Sequence, residues 1–220
     1  MKTLLSWSSG KDSAWSLHVL RQDPSIEITG LVTTVNVAFD RVAMHGVRRN
    51  ILEAQAEAAG LPLYVVELPW PCSNDVYAKL MGDFVKAQVA AGAEAMAFGD
   101  LFLGDIRAYR ETQLHGTGLT PIFPLWQKPT AALARDMIDG GLITYIATID
   151  PRHLGKDFAG RRFDAAFLDD LPAAVDPCGE NGEFHTCVVS GPMFSNALDV
   201  RIGDIVERDG FVFADLNLNA

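Results

Sequence analysis

Short apolar runs alternate with longer stretches of helical periodicity through the first 124 residues of the chain. Parallel strands are joined only by connections as long as a helix, so this alternation predicts a parallel sheet with helices on both faces. The predicted fold class is therefore α/β, with a doubly wound sheet. The predicted strands span residues 3–5, 27–35, 63–68, 95–98 and 120–123, and the predicted helices span 12–21, 46–59, 74–91 and 105–115.

After residue 124 the sequence pattern changes. One more helix is predicted at 129–139 and one more strand at 142–149, followed by a stretch rich in Gly and Asp. Residues 198–218 alternate apolar and polar side chains around Asp209-Gly210, which is typical of a two-residue hairpin turn. The sequence thus predicts a smaller α+β portion over 125–220 beside a larger α/β domain over 1–124.

The composition and net charge of the chain indicate which binding partners and which cellular compartment to expect. The chain carries 28 acidic and 18 basic side chains, a formal net charge of −10. A nucleic-acid partner is not expected, because such binding draws on clustered Lys and Arg. No apolar run approaches the roughly 20 residues that cross a bilayer and no leader is recognised, so we expect a cytoplasmic protein. The three cysteines are Cys72, Cys178 and Cys187. They lack C-x-x-C spacing, so we expect them to be reduced thiols.

The stretch SWSSGKDS, residues 6–13, joins the first predicted strand to the first helix. Free N–H groups at a helix start bind anions, Gly10 lets the backbone approach closely, and Lys11 would add a mobile positive charge. Asp12 would repel a bare phosphate, so it predicts a magnesium ion between itself and the phosphates. The loop is not a Walker A sequence, because Leu5 stands where that pattern has Gly and Asp12 where it has Ser or Thr. The predicted phosphate-binding residues are Ser8, Ser9, Gly10, Lys11, Asp12 and Ser13.

Further candidates follow the later strands. Gly99 and Asp100 come directly after the strand at 95–98, and we expect Asp100 to contact the nucleotide, the metal or the activated group. The next helix places two guanidinium groups on one face, which suits a carboxylate or a phosphate. An exposed ion pair is the alternative for part of that face. The residues of the face are Arg107, Arg110, Glu111 and Leu114. His45 lies on the loop after the second strand, where nucleotide contacts are common in this architecture.

The stretch GENGEFHT, residues 179–186, places two carboxylates three positions apart among glycines. A tight loop is expected there, and Glu180 and Glu183 would orient a substrate or deprotonate an incoming amine. Gly182 and Thr186 are expected to contact the substrate. A solvated acidic turn is the alternative.

Three stretches together resemble a known family. SSGKDS resembles the SGGKDS pyrophosphate loop of the adenine-nucleotide α-hydrolase-like superfamily, with Ser9 in place of Gly. GDLFLGDIRAYRE, residues 99–111, and GENGEFHT resemble the paired signatures of the diphthine-ammonia ligase family, with His185 in place of the more common Glu. The resemblance spans nearly the whole chain and implies a Rossmann-like fold of the PP-loop ATPase type. It also implies ATP binding by 1–124 and substrate binding by 125–220.

The resemblance implies a reaction as well. ATP would adenylate a substrate carboxylate, on a protein side chain or a small molecule, and ammonia would displace AMP to leave an amide. ATP and Mg²⁺ are the expected cofactors, and a homodimer is among the expected states. The predicted catalytic residues are Lys11, Asp12, Asp100, Glu180 and Glu183. The alternatives are a tRNA-modifying enzyme with the same loop and a nucleotide-binding regulator without turnover.

Overall fold

The computed structural model describes residues 1–42 and 46–219. Its strands are β1 (Lys2–Ser6), β2 (Glu27–Asn36), β3 (Arg41–Val42), β4 (Leu63–Leu68), β5 (Ala95–Ala97), β6 (Thr120–Ile122), β7 (Ile143–Ile149), β8 (Phe184–Ser190), β9 (Val200–Arg208) and β10 (Phe211–Leu218). Its helices are α1 (Lys11–Leu20), α2 (Arg49–Ala59), α3 (Asn74–Ala90), α4 (Gly104–Leu114), α5 (Thr130–Asp139) and α6 (Ala165–Asp170), with a 3-10 turn at Lys156–Phe158.

The first sheet has the order β3-β2-β1-β5-β6, and β4 also pairs with β2. All of its pairings are parallel except the short one between β2 and β3. The chain leaves β1 toward β2 on one side and returns to β5 on the other, so the strand order reverses beside β1. Ligands of doubly wound sheets bind at such a reversal, outside the carboxyl ends of the strands. The predicted α/β fold is confirmed.

The second sheet is antiparallel, with the order β8-β7-β10-β9. The predicted hairpin is confirmed as β9 and β10, and its turn residues Asp209 and Gly210 have φ of 51° and 83°. The sequence pattern did not predict β8. This strand is buried on both faces for most of its length, so it lacks the alternation that marks a half-exposed strand.

The two sheets share one hydrophobic core. Leu5 and Leu31 on one face of the first sheet belong to the same buried cluster as Ile146 and Val188 of the second. The other face carries a smaller cluster around Leu4, covered by α3 and α4. Helix α3 buries little of its surface against this cluster, because Val85 alone of its 17 residues is buried. The division of the chain at residue 124 stays a prediction.

Among residues 1–42 and 46–219, no helix combines the length and the hydropathy that crossing a membrane requires.

Candidate functional site

Two adjoining cavities open at the carboxyl end of the first sheet. The larger, of about 490 Å³, lies between the sheet and the helices α3 and α4. The smaller, of about 230 Å³, lies between the loop that follows β1, the loop that follows β5, and the segment leading into β8. Four residues line both cavities: Ser6, Ser8, Phe98 and Arg110. The site is therefore one continuous depression at the reversal of strand order.

The loop between β1 and α1 is closed by its own hydroxyl groups. The hydroxyls of Ser8 and Ser13 lie 3.2 Å apart, and the Ser13 hydroxyl donates to the carbonyl of Gly10 at 3.0 Å. Gly10 is the N-cap of α1 and has no side chain with which to cap it. Ser8, Lys11, Asp12 and Ser13 line the smaller cavity, so the start of α1 faces that cavity.

Ser9 adopts a left-handed backbone conformation, with φ of 70°. The residue is fully buried, and its hydroxyl oxygen has no hydrogen-bond partner among the described residues. Glycine adopts this conformation without strain, which gives a physical reason for Gly at this position in the pattern that the loop resembles.

We expect Ser9→Gly to raise the free energy of unfolding by about 1 kcal/mol, because it removes both the backbone strain and a buried unpaired hydroxyl. Urea unfolding of the variant and of wild type measures the difference. Ser9→Ala is the matched variant, since it removes the hydroxyl and keeps the strain. If alanine stabilises as much as glycine, the backbone conformation contributes nothing.

The C-terminal part of the chain helps to build the loop. The amide of Val188, in β8, donates to the carbonyl of Ser9 at 2.9 Å. The hydroxyl of Thr186 accepts from the amide of Lys11 at 2.9 Å. Thr186 also lines the smaller cavity. The geometry thus gives Thr186, predicted to contact substrate, a role in holding the loop.

Gln55, on α2, is a positioning residue that the sequence reasoning missed. Its fully buried side-chain amide donates to the carbonyls of Ser9 at 3.2 Å and Val188 at 2.7 Å, and its oxygen accepts from the indole of Trp7 at 2.9 Å. The sequence did carry a signal for this role, namely a polar residue within the apolar stripe of a predicted helix. A buried side-chain amide must find hydrogen-bond partners, so such a residue is a candidate for holding a neighbouring loop.

Lys11 is not the mobile charge that the sequence suggested, and that expectation is wrong. The side chain is 2% exposed, and its ammonium group donates to Asp12 Oδ2 at 2.9 Å and to the carbonyl of Cys178. The ammonium also lies 5.4 Å from the ring centroid of Phe184. Burial opposes the charged form of Lys11, but the neighbouring groups, with Asp12 first among them, together outweigh burial, so the pKa of Lys11 is raised. Lys11 therefore joins the start of α1 to residues 176–183, the segment that leads into β8 and is called the C-terminal segment below.

Two carboxylates in the smaller cavity keep unpaired oxygens. Asp12 Oδ1 and Asp100 Oδ2 are buried and have no hydrogen-bond partner among the described residues. Burial raises the pKa of both carboxyls, and the charge of Asp12 raises that of Asp100 further. Gly99 allows this approach, because a Cβ there would lie 3.0 Å from the backbone of Asp12 and Ser13. Such oxygens suit a cation, which would offset their burial.

Glu180 joins the C-terminal segment to the loop after β5. Its Oε1 accepts from the amides of Leu101 at 2.7 Å and Phe102 at 3.4 Å. Burial raises the pKa of Glu180 to about 7, against the lowering effect of the Leu101 amide. The side chain lines the smaller cavity, so a carboxyl that titrates near neutral pH faces this space.

This raised pKa predicts a pH-dependent stability difference. The protonated form of Glu180 is favoured in the folded state, so its stabilising effect is complete below about pH 4.5 and is lost as pH rises through about 7. Wild type should therefore lose stability relative to Glu180→Gln between pH 5 and 8, by on the order of 1–2 kcal/mol after allowing for solvent screening. Urea unfolding across this range measures the difference. A pH-independent difference would show that Glu180 titrates normally.

Glu183 lies outside the lining of both cavities. Its carboxylate is 2% exposed and accepts from the amides of Asp176 and Asn181, each at 3.0 Å, and from the side chain of Asn181. Burial opposes ionisation, but these donors outweigh it and lower the pKa of Glu183. Gly182, with φ of 87°, turns the chain beside it. The geometry gives Glu183 a role in holding the loop, and its catalytic role stays a prediction.

The structure divides the predicted face of α4. Arg110 lines both cavities. Arg107 lies outside their lining, with its guanidinium 4.8 Å from the ring centroids of Phe123 and Trp126, and it donates to Glu111 at 2.7 Å. Arg107 and Glu111 therefore form the exposed ion pair that was the alternative reading.

Two histidines were named in the sequence analysis, His45 and His185. His45 lies outside the described residues. His185 lines the smaller cavity, where burial and then the charge of Lys11 lower its pKa to about 4. A neutral imidazole thus stands where the resembled pattern has a carboxylate.

The fold and the site first define a class: an α/β protein in which the loop between β1 and α1 lies at the reversal of strand order in the sheet. Comparison with known families then identifies the chain. The diphthamide synthase N-terminal domain matches residues 1–119, and the diphthamide synthase C-terminal domain matches residues 129–214. The chain belongs to the diphthamide synthase family. It is thus a ligase, an ATP-dependent enzyme that forms an amide.

Curated relatives of the chain carry the name diphthine–ammonia ligase. The proteins of Bos taurus and Homo sapiens are each 25% identical over 231 aligned residues, which cover 94% of this chain and 85% of the relative. The protein of Danio rerio is 24% identical over 230 residues, which cover 94% and 89%. The alignments thus extend through both parts of the chain.

Proposed function

We propose that this ligase adenylates a substrate carboxylate, with release of pyrophosphate, and that ammonia then displaces AMP to leave an amide. By the names of the relatives, the proposed carboxylate is that of diphthine on a protein. The observation that carries the proposal is the position of the loop between the two cavities. A nucleoside and a reacting phosphate chain need two such connected spaces.

The larger cavity suits the nucleoside. Its lining is mostly apolar, with aromatic and aliphatic side chains from the sheet, α3 and α4. Thr33 is among the residues that line this cavity, and its hydroxyl is buried and has no hydrogen-bond partner among the described residues. An apolar space with few polar groups is typical of a site for an aromatic base.

The smaller cavity suits the phosphates. The start of α1 and the hydroxyls of Ser8 and Ser13 face it. Asp12 Oδ1 and Asp100 Oδ2 would attract the magnesium ion that accompanies the phosphates. Among the described residues, no group of three or more His, Cys, Asp or Glu side chains could hold a metal. Magnesium bound through one or two carboxylates together with phosphate oxygens fits this donor set.

The chemistry divides into two displacements. In the first, a carboxylate oxygen of the substrate bonds to the α-phosphorus of ATP, and the bond from this phosphorus to the bridging oxygen breaks, so pyrophosphate leaves. In the second, the nitrogen of ammonia bonds to the acyl carbon, and the C–O bond to AMP breaks. The residues of the loop and of α1 orient the phosphates and stabilise the charge on the leaving group.

We propose that Glu180 takes the proton that the nitrogen loses. Its carboxyl faces the smaller cavity and titrates near neutral pH, which is the range in which a general base is effective. Glu183 is less suited, because its oxygens are already occupied by donors of its own loop.

The test separates the nucleotide products. The protein is incubated with ATP, magnesium, a diphthine-bearing protein and increasing ammonium, and the nucleotides are resolved by chromatography. We expect AMP to rise with ammonium concentration. ADP as the product would refute adenylation, and AMP that ignores ammonium would refute ammonia as the nucleophile.

A further inference from the structure

Arg110 lies where the two cavities meet and lines both of them. Of the four residues that line both of them, it carries the only charge. It comes from α4, which borders both spaces, whereas Ser6 and Phe98 lie at strand ends of the sheet below. If the nucleoside lies in the larger cavity and the pyrophosphate in the smaller, the group that bridges them is the α-phosphate.

The Nε of Arg110 has a long ion pair and, among the described residues, no hydrogen bond. This nitrogen is buried. Asp100 Oδ2 lies 3.7 Å from this Nε, which is within the range of an ion pair but too far for a hydrogen bond. The guanidinium packs 5.0 Å from the ring centroid of Phe98, which fixes its plane without using its donors. A buried N–H group without a hydrogen-bond acceptor is costly, so this arrangement favours an incoming anion at Nε.

The other cation of the site cannot serve as well. Lys11 lines only the smaller cavity, and its ammonium is already held by Asp12 and by the carbonyl of Cys178. Moving Lys11 toward a phosphate would break a buried ion pair of 2.9 Å, whereas Arg110 would give up only the longer ion pair of 3.7 Å with Asp100 and no hydrogen bond made by its Nε.

We propose that Arg110 binds the α-phosphate and stabilises the negative charge that builds on it during adenylation. This inference rests on the proposed function and adds to it the group that contacts the reacting phosphorus. A guanidinium suits this task because its planar fork contacts two phosphate oxygens at once. Arg110 is then a catalytic residue in the strict sense, since it touches the substrate at the reacting centre.

The test compares adenosine with AMP, which differ only by the α-phosphate. Affinities for both are measured by calorimetry on wild type and on Arg110→Met. We expect wild type to bind AMP more tightly than adenosine. The variant should lose about tenfold or more in affinity for AMP and about twofold or less for adenosine, because a charged hydrogen bond is lost only with the phosphate. Arg110→Lys, which keeps a point charge, should recover part of the loss.

Arg161 provides a matched control. Its side chain is 28% exposed, against 29% for Arg110, its guanidinium also packs 5.0 Å from a ring, that of Phe158, and it lies outside both cavities. Arg161→Met should leave both affinities unchanged. If Arg110→Met fails to fold by circular dichroism, the lysine variant and Arg110→Gln carry the same comparison.

The outcomes separate the two levels of the proposal. Equal losses for adenosine and AMP, or no loss for either, would overturn the role of Arg110 and leave the nucleotide site intact. A wild-type protein that binds AMP no better than adenosine would also overturn it. A wild-type protein that binds neither would refute the nucleotide site of the proposed function, and the role of Arg110 with it.

Discussion

Lys11→Ala is expected to lower the free energy of unfolding by about 3 kcal/mol, because it breaks a buried ion pair and leaves Asp12 without its partner. The value is set at the lower end of the usual range because the Asp12 side chain is a quarter exposed. The substitution also removes the bond to the carbonyl of Cys178 and so loosens the loop from the C-terminal segment. Urea or thermal unfolding measures the loss.

Two comparisons make this prediction specific. Lys156→Ala removes an exposed ion pair with Glu207, whose side chains are 62% and 60% exposed, and should cost about 0–1 kcal/mol. The double substitution of Lys11 by Met and Asp12 by Asn should be more stable than Lys11→Met alone, since it leaves no buried unpaired charge. A Lys11→Ala variant as stable as wild type would contradict the buried position of this side chain.

Asp100→Asn is expected to reduce the rate of AMP formation by about a hundredfold while changing the free energy of unfolding by less than about 1 kcal/mol. The side chain keeps its shape and loses the charge that would attract a cation and orient Arg110. The effect on stability is small because burial already disfavours the ionised carboxyl, as its raised pKa shows. Steady-state rates at saturating ATP and urea unfolding give the two numbers.

Asp105→Asn is the control for this prediction. Asp105 lies on the same segment, in the first turn of α4, and is exposed. Its substitution should leave the rate of AMP formation within about twofold of wild type, because solvent and salt screen an exposed charge. If Asp100→Asn and Asp105→Asn were equally active, Asp100 would have no part in the chemistry.

The sequence predicted the fold because the fold depends on local patterns. Hydrophobic periodicity separated the helices from the strands of the first sheet, and the Asp209-Gly210 turn identified the last hairpin. Strand β8 escaped prediction because its burial on both faces depends on neighbours that are distant in sequence. The loop after β1 was recognised for the same local reason, since strand, glycine and helix start are consecutive.

The partners of the site residues could not be predicted. Arg107 and Arg110 share one face of α4, as their spacing required, yet only the structure shows that one lines the cavities and the other packs outside against Phe123. Glu180 and Glu183 differ in the same way. Spacing along the chain places side chains on a common face or loop, and the elements packed against them then decide which is available for chemistry.

The central claim is that the substrate carboxylate is adenylated, and a heavy-oxygen label tests it most directly. The carboxylate of a diphthine-bearing substrate protein is labelled with heavy oxygen. The ligase is then supplied with this substrate, ATP, magnesium and ammonium, and the phosphorus products are analysed by mass spectrometry. The account predicts one labelled oxygen in AMP for each amide formed, because the carboxylate oxygen bonded to the α-phosphorus leaves with it. Label in orthophosphate together with ADP, or amide formation with unlabelled AMP, would contradict it.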